Sequence, residues 1–158
     1  MTKKTLLTLT LNGEETDVAT PMDATLLETL REDMGVLSVK RGCNQGVCGS
    51  CTVILDGEPV RSCLTLSARC KGHDLRTIEG YEADDIMASL KQHLTQSGGI
   101  QCGFCTSGVL LSAQTYLAEN PHPTRDGVKS ALSGNLCRCT GYRTIVDAVC
   151  DAAVEVAR

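Results

Sequence analysis

From Thr5 to Leu11 the chain reads TLLTLTL, alternating polar and apolar residues with the period of two that marks a half-buried strand. Asn12-Gly13 follows, a strong two-residue hairpin signal, and a returning strand is expected to end near Val18. The segment DATLLETLRED then sets Leu26, Leu27 and Leu30 on one helical face. Asp23 or Thr25 is its expected cap, Thr25 pairing with Glu28 as a capping box, and Gly35 stands just past its end. Further on, TVIL and EPVRSC flank Asp56-Gly57, a second hairpin that puts Cys63 on the return strand, and LRTI at 75–78 forms one more short strand.

The period then changes. DDIMASLKQHLTQSGG carries Ile86, Leu90 and Leu94 on one helical face and stops at paired glycines. SGVLLSAQTYLAENP carries Leu110, Ala113 and Leu117 and stops before Pro121, while Thr124 caps a short helix holding Val128 and Leu132. The last segment presents Tyr142, Ile145, Val146, Val149 and Ala153 at helical spacing. The pattern therefore predicts an α+β front half joined to an all-helical back half through the polar stretch 79–85, with no internal repeat.

Composition narrows the class. The chain has 158 residues, enough for one domain or two small ones, and its 42% hydrophobic content is globular rather than disordered. A formal charge of −4 without any run of Lys or Arg, together with one Phe and no Trp, argues against a nucleic-acid groove. No stretch suits a bilayer span, and the N-terminus lacks the continuous apolar block of a signal peptide. The expected location is the cytoplasm, where thiols stay reduced.

In that compartment the ten cysteines point to metal or redox chemistry rather than disulfides. Residues 42–51 read GCNQGVCGSC, so that Cys43, Cys48 and Cys51 have the C-x4-C-x2-C spacing of plant-type [2Fe–2S] ferredoxins. Cys63, after eleven intervening residues, is the expected fourth ligand. Gly42, Gly46 and Gly49 let the backbone approach closely and turn N–H groups toward sulfur. Four thiolates at short spacing also suit structural zinc. The second set is Cys102-x2-Cys105 and, after thirty-one residues, Cys137-x-Cys139. Each pair is expected directly before a helix, where free N–H groups favour thiolates. Zinc is again an alternative, as is a redox dithiol in CGFC alone; the dithiol lacks a βαβ setting and leaves Cys137 and Cys139 unexplained.

Taken together, GCNQGVCGSC at 42–51, QCGFCTSG at 101–108 and GNLCRCTGY at 134–142 resemble the small iron–sulfur subunit of the molybdenum hydroxylases. This is the family of xanthine dehydrogenase, aldehyde oxidoreductase and carbon monoxide dehydrogenase. The resemblance spans nearly the whole chain; Ser107 stands where many members have proline. It implies a ferredoxin-like β-grasp domain over residues 1–78, a linker over 79–83 and a four-helix domain over 84–158. It further implies one [2Fe–2S] cluster on Cys43, Cys48, Cys51 and Cys63 and another on Cys102, Cys105, Cys137 and Cys139. The same resemblance places Gln101, and Cys139 as well, against the pterin of a molybdopterin cofactor held by a large partner subunit. A medium FAD-binding subunit would complete a hetero-oligomer, and electrons would pass singly from the molybdenum site through both clusters to flavin. The chain itself shows no G-x-G-x-x-G, no P-loop and no catalytic constellation, so turnover belongs to a partner. A freestanding ferredoxin-like carrier and a zinc module are the alternatives. His73, His93 and His122 lack ligand-like spacing and are expected at the surface, Cys70 in a loop, and Cys150 on a helix face. Arg138, between two cysteines, is expected either to offset cluster charge or simply to be solvated.

Overall fold

The structure, a computed structural model, describes residues 4–157. Strands β1 (Lys4–Leu11) and β2 (Glu14–Pro21) form the first hairpin, with Asn12 and Gly13 both at positive φ as a two-residue turn of this twist requires. Strand β2 runs past Val18 to Pro21, because its pairing with β1 continues as far as Lys4 opposite Pro21. Helix α1 (Leu26–Glu28) is capped by Thr25 with the expected capping box, and it runs on as a π-helical turn over Thr29–Asp33. Strands β3 (Thr52–Leu55) and β4 (Glu58–Arg61) form the second hairpin about Asp56 and Gly57, again both at positive φ.

Strand β5 (Asp74–Arg76) closes a mixed five-stranded sheet of order β2-β1-β5-β3-β4. It lies parallel to β1 and antiparallel to β3, so the chain's first strand and its last are neighbours at the sheet centre. Leu7, Leu9, Val18, Val53 and Leu75 face α1, whose Leu26, Leu27 and Leu30 are fully buried. Burial of each such side chain contributes about 1.5–3 kcal/mol. Adjacent positions on a strand face opposite ways, and Ile54 next to Val53 points to the other side of the sheet, into the core of the helical half.

That half consists of α2 (Asp85–Gln96), α3 (Thr106–Glu119), α4 (Arg125–Ala131) and α5 (Arg143–Val156). Asp84 caps α2 and Thr124 caps α4 through their side chains. Met87, Leu90 and Leu94 form the buried stripe of α2, whereas Ile86 is only partly covered. The polar stretch between the halves is not a loose tether. Residues Ile78–Tyr81 make a 3₁₀ turn, Tyr81 is buried in the helical core, and the Asn12 side chain of the first hairpin is hydrogen-bonded to the Thr77 N–H and hydroxyl.

At Gly49, Gly108 and Gly134 the two halves meet backbone to backbone. A Cβ on Gly108 would lie 2.2 Å from the carbonyl oxygen of Gly49, and one on Gly49 would lie 2.3 Å from that of Gly134. The Ser107 hydroxyl donates to the Ser38 carbonyl oxygen at 2.7 Å, so the serine at this position ties the start of α3 to the first half. Gly108→Ala is expected to force backbone against backbone and to cost about 1–3 kcal/mol of stability. Denaturant unfolding of the variant against the parent chain measures it.

Candidate functional site

The first cysteine set is assembled from a loop and a hairpin. Cys51 immediately precedes β3, and Cys63 sits in a 3₁₀ turn, Ser62–Leu64, that follows β4. Cys63 therefore lies one turn beyond the return strand, not on it. The β3–β4 register sets Thr52 opposite Arg61, and Ser62 N–H donates to the Cys51 carbonyl oxygen at 3.3 Å. This brings the two buried sulfurs within 3.4 Å of each other. Cys43 and Cys48 come from the preceding loop, in which Asn44, Gly46 and Gly49 all take positive φ. The Sγ of Cys43 accepts N–H groups from Cys48 at 3.3 Å and from Gln45 at 3.4 Å. A Cβ on Gly42 would come within 2.7 Å of the Cys48 sulfur, so the cradle tolerates no side chain there.

These surroundings separate the thiols electrostatically. The backbone N–H groups of Cys48 and Gln45 lower the Cys43 pKa to about 6. Burial, followed by the hydrogen bond to Cys51, raises that of Cys63 to about 11.

The second set joins two loops of the helical half. Cys105 is the N-terminal cap residue of α3 and Cys102 is exposed just before it. Cys137 and Cys139 lie between α4 and α5, but three residues separate Cys139 from Arg143, so this pair does not sit directly on a helix start. The intervening Gly141 and Tyr142 both take positive φ, which turns the chain sharply back. That turn is held by the Tyr142 hydroxyl, which accepts the Cys137 N–H at 3.0 Å. The sulfurs again group in twos: Cys102 and Cys139 lie 3.5 Å apart, and Cys105 hydrogen-bonds with Cys137. Burial and then Cys137 raise the Cys105 pKa to about 12. Burial also opposes ionisation of Cys137, but the Thr140 hydroxyl, 3.1 Å from its sulfur, and the N–H groups of Cys139 and Thr140 outweigh it and lower the pKa. Phe104 N–H lowers that of Cys102, and the hydrogen bond with Cys102 raises that of Cys139. Among the described residues no three His, Cys, Asp or Glu side chains surround one ion-sized point.

Gln101, Cys102 and Cys139 are exposed, alongside the partly exposed rings of Phe104 and Tyr142. Arg138 is exposed. Cys70 is fully buried in the first core, where desolvation raises its pKa, rather than lying in an open loop. Cys150 packs partly buried on α5. His122 is exposed; His73 pairs with Asp56 at the surface, whereas His93 is half-buried beside Glu155.

Backbone contacts join the two sets. Leu136 N–H donates to the Cys48 carbonyl oxygen at 2.9 Å, which links a first-set residue to the neighbour of Cys137. Arg61 and the buried Asn135 also stand at this junction. The motif spacing singled out neither, although Arg61 lies two residues before Cys63.

Each half matches a known domain. Residues 9–77 match the 2Fe-2S iron-sulfur cluster binding domain and residues 77–150 the [2Fe-2S] binding domain. The chain is thus a tandem of iron–sulfur domains. It is 47% identical to the nicotine 6-hydroxylase small subunit of Paenarthrobacter nicotinovorans, over 92% of this chain and 88% of that one. It is 44% identical to the nicotinate dehydrogenase small FeS subunit of Eubacterium barkeri, over 92% and 93%. The solved structure of quinoline 2-oxidoreductase from Pseudomonas putida 86 has a chain that superposes with a TM-score of 0.92 at 44% identity, covering 99% of this chain and 98% of that one. The chain belongs to the family of small iron–sulfur subunits of the molybdenum hydroxylases. Its fold is the expected β-grasp domain followed by a four-helix domain. No helix among the described residues is long and apolar enough to cross a membrane.

With metal removed under reducing conditions, Cys43 is expected to alkylate ahead of Cys63 at pH 7. A thiolate forming above about pH 6 is mostly ionised there, whereas Cys63, at about 11, remains a thiol. Iodoacetamide labelling followed by peptide mapping reads the order, and labelling of Cys63 ahead of Cys43 would contradict it.

Proposed function

We propose that this chain is the electron-transfer subunit of a heteromeric molybdenum hydroxylase. It holds one [2Fe–2S] centre on Cys43, Cys48, Cys51 and Cys63 and a second on Cys102, Cys105, Cys137 and Cys139. The observation that carries this reading is the grouping of thiols in twos, Cys51 with Cys63 and Cys102 with Cys139. A [2Fe–2S] centre gives two thiolates to each of two irons, whereas zinc gathers four thiolates around one ion. The N–H groups aimed at Cys43 and the hydroxyl aimed at Cys137 suit sulfurs that carry negative charge. The first centre belongs to a domain over residues 1–78 and the second to a domain over 84–158, with 79–83 between them.

When bound, each centre accepts and releases one electron at a time, while hydroxylation at molybdenum delivers two. Two centres in series let the pair leave singly toward a flavin that collects both. The chain's own part is to hold the centres at fixed separation, and the Leu136 N–H to Cys48 carbonyl hydrogen bond is the shortest polar link between the loops. The exposed face of Gln101, Cys102 and Cys139 is the side for a large molybdopterin-binding subunit, where Gln101 and Cys139 would lie against the pterin. The first centre then faces a medium FAD-binding subunit, and substrate turnover occurs on the partners.

The natively purified complex is expected to contain four irons and four labile sulfides per copy of this chain, with two distinguishable paramagnetic signals on reduction. Zinc in their place, or a single signal, would overturn the reading. Direction is tested by Cys63→Ser in the complex: substrate should still reduce the second centre while flavin reduction slows at least tenfold in rapid-mixing spectroscopy. Normal flavin reduction with the first centre shown to be missing removes that centre from the path.

A further inference from the structure

Arg61 ends β4 half-buried at the junction of the two cysteine loops. Its Nη1 donates to the Thr52 hydroxyl at 2.6 Å, and that hydroxyl in turn donates to the Gly49 carbonyl oxygen, also at 2.6 Å. Its Nη2 donates to the Gly134 carbonyl oxygen at 2.8 Å. Gly49 lies between Cys48 and Cys51, and Gly134 lies three residues before Cys137. One planar guanidinium thus reaches both loops, using the fork geometry that a lysine lacks. The fit is close, since a Cβ on Gly134 would lie 2.4 Å from Nη2.

The charge of this side chain is not matched by a carboxylate. Glu58 and Glu119 line the same groove, yet none of the ion pairs among the described residues includes Arg61. By contrast, Arg41, Arg76 and Arg125 each pair with an acid. An oxidised [2Fe–2S] centre on four thiolates carries a net charge of about −2, and each electron adds another negative charge. A half-buried cation hydrogen-bonded to Thr52 and Gly134, and so tied to both cysteine loops, acts on both centres more strongly than the same charge in bulk water.

We propose that Arg61 is a shared cationic brace: it ties the two loops together, and its charge raises the reduction potential of both centres. The inference rests on the two-centre reading above. Arg61 touches neither centre and works through Thr52, Gly49 and Gly134, so it is a positioning and tuning residue. The two roles are separable, because Arg61→Lys keeps the charge without the fork and Arg61→Gln keeps a hydrogen-bond donor without the charge.

The test is a redox titration of the intact complex, followed by paramagnetic resonance, for the parent and both variants. Iron and sulfide are measured in the same preparations. Arg61→Gln is expected to lower the reduction equilibrium of each centre about tenfold, a shift of about 59 mV for one electron. Arg61→Lys should stay within about threefold of the parent, about 28 mV on the same scale. Unmoved potentials in Arg61→Gln with both centres present overturn the proposal, and so does an equal fall in both variants, which would make the residue a mechanical brace only. Should Arg61→Gln fail to load, Arg61→Met takes its place with the same expected fall, and unmoved potentials in that variant overturn the proposal. Loss of two-centre content in the parent protein itself would instead remove the reading beneath.

Discussion

A side chain on Gly108 would begin 2.2 Å from the carbonyl oxygen of Gly49, and that closeness governs the arrangement of the whole molecule. Helix α3 can approach the first cysteine loop only because both backbones are bare at the contact. With the approach made, Leu136 N–H reaches the Cys48 carbonyl oxygen, and Asn135 and Arg61 complete the seam. Each half has its own apolar core, but Ile54 leaves the sheet to join the helical core, so the seam is backed by packing as well as by hydrogen bonds. On the proposed reading, a carrier of electrons needs a fixed distance between its stations, and this seam of backbone contacts, hydrogen bonds and apolar packing would hold one.

Charge management follows the same geometry. Crowding four thiolates is unfavourable unless donors point at sulfur, and the positive-φ residues of the first loop turn N–H groups inward at Cys43. In the second set the helix start supplies less of this than its place in the chain suggests. The Thr140 hydroxyl and the N–H groups of Cys139 and Thr140 take over that work for Cys137. The deeper thiols, Cys63 and Cys105, are held neutral by burial, while Cys43 and Cys102 ionise more easily.

Much of this architecture is legible in the chain because its signals are local. Asn12-Gly13 and Asp56-Gly57 can make only a few kinds of turn, and Thr25 with Glu28 closes a capping box within four residues. Helical periods of three to four set the bundle, and the spacing of Cys43, Cys48 and Cys51 fits one loop around one site. The family follows from these motifs because their spacing is tight and their order along the chain is particular.

What the chain alone could not decide is set by contacts between residues far apart in sequence. Cys63 lies in a turn beyond its strand, held beside Cys51 by the Ser62 N–H and hydroxyl, which both donate to the Cys51 carbonyl oxygen. Cys70 is buried because the fold closes over it, and no local period announces that. Arg61 looks like an ordinary strand-end cation until β4 is set beside the loop that carries Gly134, seventy-three residues away. Local conformation is written in neighbouring residues, which the sequence shows directly. The pairing of two cysteine sets and the cation tied to both loops depend on how sheet and helices pack, and that is decided only when both cores form together.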